Sequence, residues 1–199
     1  MRRFWKRLLA VPAVAAALSL AAPTPASALP MTVTPTGPVS FDGGLYLLNV
    51  STGALFSCSP YHLDASAQNS SPIFLFYPTT NRCIGSGGLQ ADLIPISSPW
   101  GMDAYSIGNG EVAGPITGMY LTVKMSDGCQ ANISGPGGGS GTVAARYSNT
   151  GELDFPAGSG TNLRVTTMNA LCDPLLINIG DAFAVGGALF ATPIVTVTP

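Results

Sequence analysis

Gly44-Leu-Tyr-Leu-Leu-Asn-Val50 and Ile73-Phe-Leu-Phe-Tyr77 are the two stretches that decide the predicted fold. Each is a short apolar block of aliphatic and aromatic residues, and turn-forming residues such as Gly, Ser and Pro flank it. Blocks with this length and composition are typical of β-strands. Further blocks of the same kind follow at 89–96, 119–125, 142–147, 163–168, 182–190 and 193–199.

The spacing of these blocks predicts an all-β domain. After Leu29, no stretch of about a dozen residues keeps the period and the caps of a helix. Strands that are separated by turns alone predict an antiparallel β-sandwich or β-barrel. The glycine-rich segment 135–141 is predicted to form the tip of a long hairpin.

The two ends of the predicted domain resemble each other. Met31-Thr-Val-Thr-Pro35 and Val195-Thr-Val-Thr-Pro199 both alternate Val with Thr and contain no charge. They are predicted to be edge strands, which pair readily with another copy when no charge protects them. The competing outcome is that the two ends pair with each other and close a barrel.

The first 28 residues have the three-part layout of a secretory signal peptide. A basic start precedes an apolar run over residues 8–22, and Ala26-Ser-Ala28 is a small-residue cleavage site. A membrane anchor is the alternative, but the apolar run is shorter than the roughly 20 residues that a spanning helix needs. The sequence therefore predicts cleavage after Ala28, secretion, and one mature domain over 29–199 without a membrane span.

Charged residues are sparse in the predicted mature chain. Four of the 8 Lys and Arg residues lie in the first seven positions, which leaves four cations against 10 acids and a net charge of −6. Nucleic acids and anionic membrane surfaces both select clustered cations, so this balance argues against both kinds of partner. It also leaves only weak repulsion between copies of the chain.

The four cysteines, Cys58, Cys83, Cys129 and Cys172, all lie in the mature part. An even number of cysteines in an oxidising compartment predicts two disulfides. Four cysteines allow three pairings, and we expect Cys58–Cys83 and Cys129–Cys172 because consecutive elements are usually adjacent in space. A zinc site is the alternative, but the cysteines are widely spaced and form no C-x-x-C pair.

No residue pattern has the form of a catalytic site. His62 is the only histidine in the chain, and we expect it to lie in a loop without a catalytic role. Asp64 lies too close along the chain to be an expected orienting partner, and the chain lacks a Gly-x-Ser-x-Gly motif. Glu152 and Asp154 share a strand face and are expected at a solvated hairpin end. The sequence therefore predicts a protein that is not an enzyme and that holds no metal and no cofactor.

Aromatic residues are the remaining candidates for a binding site. Tyr77 ends the block at 73–77, and Trp100 and Tyr105 follow among turn residues. Trp and Tyr side chains stack on sugars or anchor a protein partner. We therefore predict Trp100, Tyr105 and Tyr77 as binding residues and expect Trp100 in a loop. Packing in the core is the alternative for each.

Several short motifs resemble those of a loose group of small secreted actinobacterial proteins of unknown function. The motifs are Thr32-Val-Thr-Pro35, Pro99-Trp100, Cys129-Gln-Ala-Asn-Ile-Ser-Gly135, Arg146-Tyr-Ser-Asn149, Asn162-Leu-Arg-Val165 and Cys172 followed by Gly180-Asp181. The order Cys, Pro-Trp, Cys is also similar to the secreted PraB-type (alkane-oxidation activator) proteins, which implies a β-rich surface or matrix protein. The opening Thr-Val-Thr-Pro is similar to the neocarzinostatin-type chromophore carriers. None of these resemblances assigns a functional residue.

Two functions from different classes are consistent with these patterns. The first is a non-enzymatic structural or interaction protein of the cell surface or extracellular matrix, which binds itself or surface components. The second is a binding module for a small apolar ligand or a glycan, and an exported hydrolase is a distant third. A filled core with exposed strand edges would favour the first function, whereas a deep apolar cavity would favour the second.

Overall fold

The computed structural model describes residues 31–108, 110–156 and 161–199. The predicted signal peptide, residues 1–28, and its cleavage site lie outside the described residues. Strands account for 62% of the structure and helix for 4%, so the predicted all-β class is confirmed. Within the described residues, the helical segments are all too short or too polar to cross a membrane.

Sixteen strands and two single turns of 3-10 helix follow one another along the described part of the chain. The strands are β1 (Thr32–Thr34), β2 (Gly37–Asn49), β3 (Leu55–Ala67), β4 (Phe74–Pro78), β5 (Asn81–Gly85), β6 (Gln90–Pro95), β7 (Trp100–Met102), β8 (Ser106–Gly108), β9 (Glu111–Met119), β10 (Leu121–Met125), β11 (Gln130–Ser134), β12 (Gly141–Ser148), β13 (Glu152–Phe155), β14 (Arg164–Met168), β15 (Phe183–Thr192) and β16 (Thr196–Thr198). The 3-10 turns are Ser86–Gly88 and Pro136–Gly138.

Eight of these strands close into an antiparallel barrel. Their order is β3-β2-β15-β13-β12-β9-β7-β4, and β4 pairs back onto β3. Phe41, Phe74, Phe76 and Tyr147 are fully buried and pack mostly edge to face, with 4.9 Å between the ring centres of Phe74 and Tyr147. The interior of an eight-stranded barrel is just wide enough for side chains or one small ligand, and here these packed rings occupy it.

The remaining strands of the large sheet curve into a second closed circuit. From β3 the order continues through β5, β6, β10, β11 and β14. Arg164 of β14 then bridges Ala182, and the N–H of Phe183 donates to the carbonyl of Leu163 at 3.0 Å. Since β15 pairs with β2 and β2 with β3, the hydrogen-bonded circuit returns to its start. Leu47, Phe56, Val123, Ile133 and Phe183 are buried residues of this half.

The barrel and the second circuit share β2, β3 and β15. β2 and β3 are each 13 residues long, and their pairing shifts register between Gly43 and Leu45. Near this bulge, at Pro60, β3 exchanges one partner for another: residues 56–57 pair with β5 and residues 63–67 pair with β4. Proline has no N–H to donate to a ladder, which suits it to the point where the partners change.

Glycines allow the shared strands to approach closely at this junction. A Cβ atom on Gly43 would lie 2.4 Å from the carbonyl oxygen of Ala188. A Cβ atom on Gly187 would lie 2.3 Å from the carbonyl oxygen of Gly44, and Gly187 has a φ of +116°, which disfavours a side chain. The junction therefore requires glycine on both β2 and β15.

The two ends of the described chain pair with each other and close one end of the barrel. β1 and β16 are antiparallel, with Val33 opposite Val197, and both valines are buried. The hydroxyl of Tyr147 donates to the carbonyl of Val195 at 2.6 Å and accepts its N–H at 3.0 Å. Because the Tyr147 ring belongs to the aromatic cluster, the β1–β16 ribbon is attached directly to the barrel interior.

Asparagine side chains cover the outer edges of this ribbon. Asn69 Oδ1 accepts the N–H of Val33, and Asn149 bonds both the N–H and the carbonyl of Val197, at 2.8 and 3.1 Å. The prediction that the terminal strands are unprotected edges is therefore wrong. The competing outcome holds in that the ends pair with each other, and side-chain amides bond the N–H of Val33 and both main-chain groups of Val197.

The segment 135–141 is a crossover, and its predicted role as a hairpin tip is wrong. β11 before it pairs with β10 and β14, whereas β12 after it pairs with β9 and β13. The segment carries the chain from the second circuit to the barrel through a compact turn, in which the N–H of Gly135 donates to the carbonyl of Gly139 at 2.8 Å. A glycine-rich composition marks a turn but does not specify which strands the turn connects.

Both predicted disulfides are confirmed. Cys58–Cys83 joins the adjacent strands β3 and β5, and Cys129–Cys172 joins the residue before β11 to the loop that follows β14. All four cysteines are buried. Each bond therefore ties together two segments of the second circuit.

Replacing Cys129 and Cys172 by alanine should lower the free energy of unfolding by about 4 kcal/mol, because the unfolded chain regains the freedom of a loop with a sequence separation of 43. The Cys58/Cys83 pair, with a separation of 25, should contribute slightly less, about 3.5 kcal/mol. Urea unfolding followed by the fluorescence of Trp100 measures both. A clearly larger loss for the Cys58/Cys83 pair would contradict the loop-closure account.

Tyr147→Phe should lower the free energy of unfolding by about 2 kcal/mol, because it leaves the buried main-chain groups of Val195 without a partner. Tyr120→Phe is a matched control. Tyr120 is partly buried, and its hydroxyl accepts one long hydrogen bond of 3.5 Å from the side-chain amide of Asn132. The same urea experiment should show little change for the control. Equal losses for the two variants would contradict the proposed anchoring of the ribbon.

Candidate functional site

His62 lies on β3 between two aspartates. Its Nδ1 atom is 2.6 Å from Oδ1 of Asp42 on β2, and its Nε2 atom is 3.2 Å from Oδ1 of Asp64. The sheet register places Asp42 opposite His62, and residues two apart on a strand share a face. The prediction that His62 is a loop residue is wrong, and so is the expectation that Asp64 is too close along the chain to orient it.

The two carboxylates raise the pKa of His62 above its ordinary value of about 6.5. The hydrogen bond to Asp42 is the largest cause; partial burial comes next and opposes it, and Asp64 adds a smaller increase. About half of each side chain remains exposed, so water screens the attraction. Because both ring nitrogens face carboxylates, neither is free to take a proton from a nucleophile.

Glu152 and Asp154 share a face of β13, as predicted, and lie beside a cation. With Glu111, Arg146 and Ser148 they line a small pocket of about 100 Å³ on the outside of the barrel. The register places Arg146 opposite Asp154. Within residues 31–108, 110–156 and 161–199, no group of three or more His, Cys, Asp or Glu side chains is arranged to hold a metal ion.

The three predicted binding residues differ in exposure. Trp100 is 4% exposed, lies on β7 opposite Phe76, and donates its indole N–H to the hydroxyl of Ser97 at 3.3 Å. The loop position expected for Trp100 is therefore wrong. Tyr77 and Tyr105 are 44% and 43% exposed, so each presents part of its ring to solvent.

Tyr77 lines a groove of about 460 Å³ on the outer face of the barrel. The register aligns Thr192, Ser40, Asp64 and Tyr77 in one row across β15, β2, β3 and β4. Asp64 also belongs to the His62 cluster, so the cluster and the groove are adjacent. Sequence analysis selected Tyr77 but missed its polar neighbours, because only the register of four strands brings them together.

A loop at the end of the second circuit, residues 169–181, exposes three aliphatic side chains. Leu171, Leu175 and Ile179 are 65%, 79% and 64% exposed. Between them, Ile177 is completely buried and fixes the loop to the core. The composition of the segment did not predict this exposure, because leucine and isoleucine usually indicate the interior.

Covalent and polar contacts fix the conformation of this loop. Cys172 is bonded to Cys129. The carboxylate of Asp181 accepts from the side-chain amide of Asn49 at 2.7 Å and from the N–H of Asn178 at 2.8 Å. Asn49 is fully buried and also donates to the carbonyl of Leu176 at 3.0 Å. The loop is therefore a fixed element of the structure that holds aliphatic side chains in water.

Comparisons of the chain with protein-family models, with curated proteins and with solved structures find no match. The geometry of the exposed loop and of the groove is therefore the basis for assigning a function.

The effect of the two aspartates on His62 predicts a specific titration. The pKa of His62, followed by the NMR signals of its ring, should lie above 6.5, and Asp42→Asn should lower it more than Asp64→Asn does. Because the folded-state pKa is raised, the resulting stabilisation is complete below the unfolded value and is lost as the pH rises through the folded value. A larger effect of Asp64→Asn would contradict the assignment.

Proposed function

We propose that this protein is a secreted, non-enzymatic interaction protein of the cell surface or extracellular matrix, which docks on apolar partner surfaces through the loop 169–181. One observation carries the proposal: Leu171, Leu175 and Ile179 are held in solvent by a loop that a disulfide and buried hydrogen bonds fix in place. A contiguous exposed apolar patch marks an interaction site, and in this proposal the three side chains act together as one docking surface.

The energetics of the loop favour docking. Burying one leucine side chain gains about 1.5–3 kcal/mol, so two or three such residues supply a useful binding energy. A fixed loop has already lost its conformational freedom, so little further ordering cost opposes binding. The only charges in the loop are Asp173 and Asp181, and Asp181 is buried, which leaves little charge to desolvate.

The filled barrel supports a partner on the outside of the protein rather than a small apolar ligand within it. Aromatic rings occupy the barrel interior and the β1–β16 ribbon closes one end. The pairing of β1 with β16 and the amide contacts to Val33 and Val197 argue against self-association through the terminal strands. In this proposal, the loop 169–181 of one molecule binds either another copy of the chain or another component of the surface or matrix.

Two features support action outside the cell. Both disulfides belong to an oxidising compartment. The first 28 residues have the layout of a signal peptide, and in this proposal cleavage after Ala28 releases the mature chain.

Replacing Leu171 and Leu175 by serine should remove most of the binding of the oxidised mature protein to octyl-agarose and should reduce concentration-dependent light scattering. The double variant Ile84→Ser and Ile96→Ser is the matched control, because those isoleucines are 62% and 56% exposed but lie outside the loop. The control should bind and scatter like the unchanged protein. Equal losses in the two double variants would show that general surface hydrophobicity, and not the loop, causes attachment.

A further inference from the structure

We propose that the groove beside Tyr77 is a binding site for a neutral glycan. This inference is independent of the loop 169–181, because the groove lies on the outer face of the barrel, whereas the loop ends the second circuit. It rests on four features of the groove: an aromatic face, a row of oxygen acceptors and hydroxyls, a lining with one acid and no Lys or Arg, and its length.

Tyr77 provides the aromatic face. It lies on β4, directly opposite Asp64 of β3, and 44% of its surface is exposed. An exposed ring beside a carboxylate offers an apolar surface for the C–H face of a sugar and an acceptor for its hydroxyls. Pro38, which is exposed, adds further apolar surface to the groove.

The polar groups of the groove are held in place. Asp64 is bonded through Oδ1 to His62, which is in turn bonded to Asp42. The hydroxyl of Ser40 donates to the carbonyl of Thr192 at 3.3 Å, so the lone pairs of the Ser40 oxygen remain available. Carboxylate and hydroxyl groups that are already oriented bind a hydroxyl-rich ligand without a large ordering cost.

The charge of the groove selects a neutral ligand. None of the described residues that line it is Lys or Arg, so an acidic polysaccharide finds no cation to pair with. Asp64 is the one acid in the lining, and the imidazole of His62 compensates it when protonated. The groove therefore lacks the acidic cluster that would select a polycation.

The length of the groove favours an oligosaccharide over a single sugar. The row from Thr192 to Tyr77 crosses four strands, and three interstrand spacings amount to about 14 Å. The groove is open to solvent, which suits a chain that continues beyond the site and that stays partly hydrated.

The experiment measures binding of the oxidised mature protein to insoluble cellulose, chitin and mannan, with polygalacturonate and polylysine as anionic and cationic probes. We expect binding to at least one of the three neutral glycans and to neither charged polymer. Tyr77→Ala should weaken that binding by about tenfold or more, and Asp64→Asn should weaken it by about fivefold. Tyr77→Phe, which keeps the ring, should bind nearly as well as the unchanged protein.

Tyr105→Ala is the matched control, because Tyr105 is 43% exposed but is not among the residues that line the groove. Thermal unfolding of each variant confirms that it is folded, and Asp64→Asn tests the site separately should Tyr77→Ala not fold. Absence of binding to all three neutral glycans, preference for a charged polymer, or an equal loss in Tyr105→Ala would each overturn the proposal.

Discussion

The close approach of β2 and β15 at Gly43 and Gly187 is the constraint on which the rest of the structure depends. A side chain on either glycine would overlap a carbonyl oxygen of the opposite strand. Because neither glycine has a side chain, β2 and β15 can lie close together at this point. Both strands then belong to the barrel at one end and to the second circuit at the other. Pro60 marks the corresponding place on β3, where the strand exchanges β5 for β4. One core cluster then spans both halves, without a separate domain interface.

This architecture leaves the exterior as the place for recognition. The rings of Phe41, Phe74 and Tyr147 occupy the barrel interior, and Val33 and Val197 seal one end of it. The two surfaces that we assign to binding differ in chemistry. The loop at 169–181 is apolar and projects from the end of the second circuit, whereas the groove at Tyr77 is polar and follows the outside of the barrel. In the two proposals together, a chain with these surfaces connects two components of different chemistry.

The sequence predicted most of the longer strands, because their composition is local, and it predicted the disulfide pairs, because consecutive elements are usually adjacent in space. It did not predict β3, in which Ser59 and Pro60 interrupt the alternation of apolar residues. It also missed the contact between Asp42 and His62, since only the register of β2 against β3 brings these residues together. The glycines at 135–141 were recognised as a turn, but the strands that they connect depend on pairings made elsewhere. Exposure of Leu175 depends likewise on the burial of Ile177 and on the hydrogen bonds of Asp181.

The pairing of β1 with β16 imposes an order of events on folding. Val33 and Val197 are 164 positions apart in the sequence, so this pairing can form only after the whole segment between them is present. Contacts between segments so far apart in sequence carry a large loop-closure entropy and therefore form slowly. Until then, the aromatic rings inside the barrel are open to water at one end. The contact that seals the barrel is therefore among the last that the described chain can make.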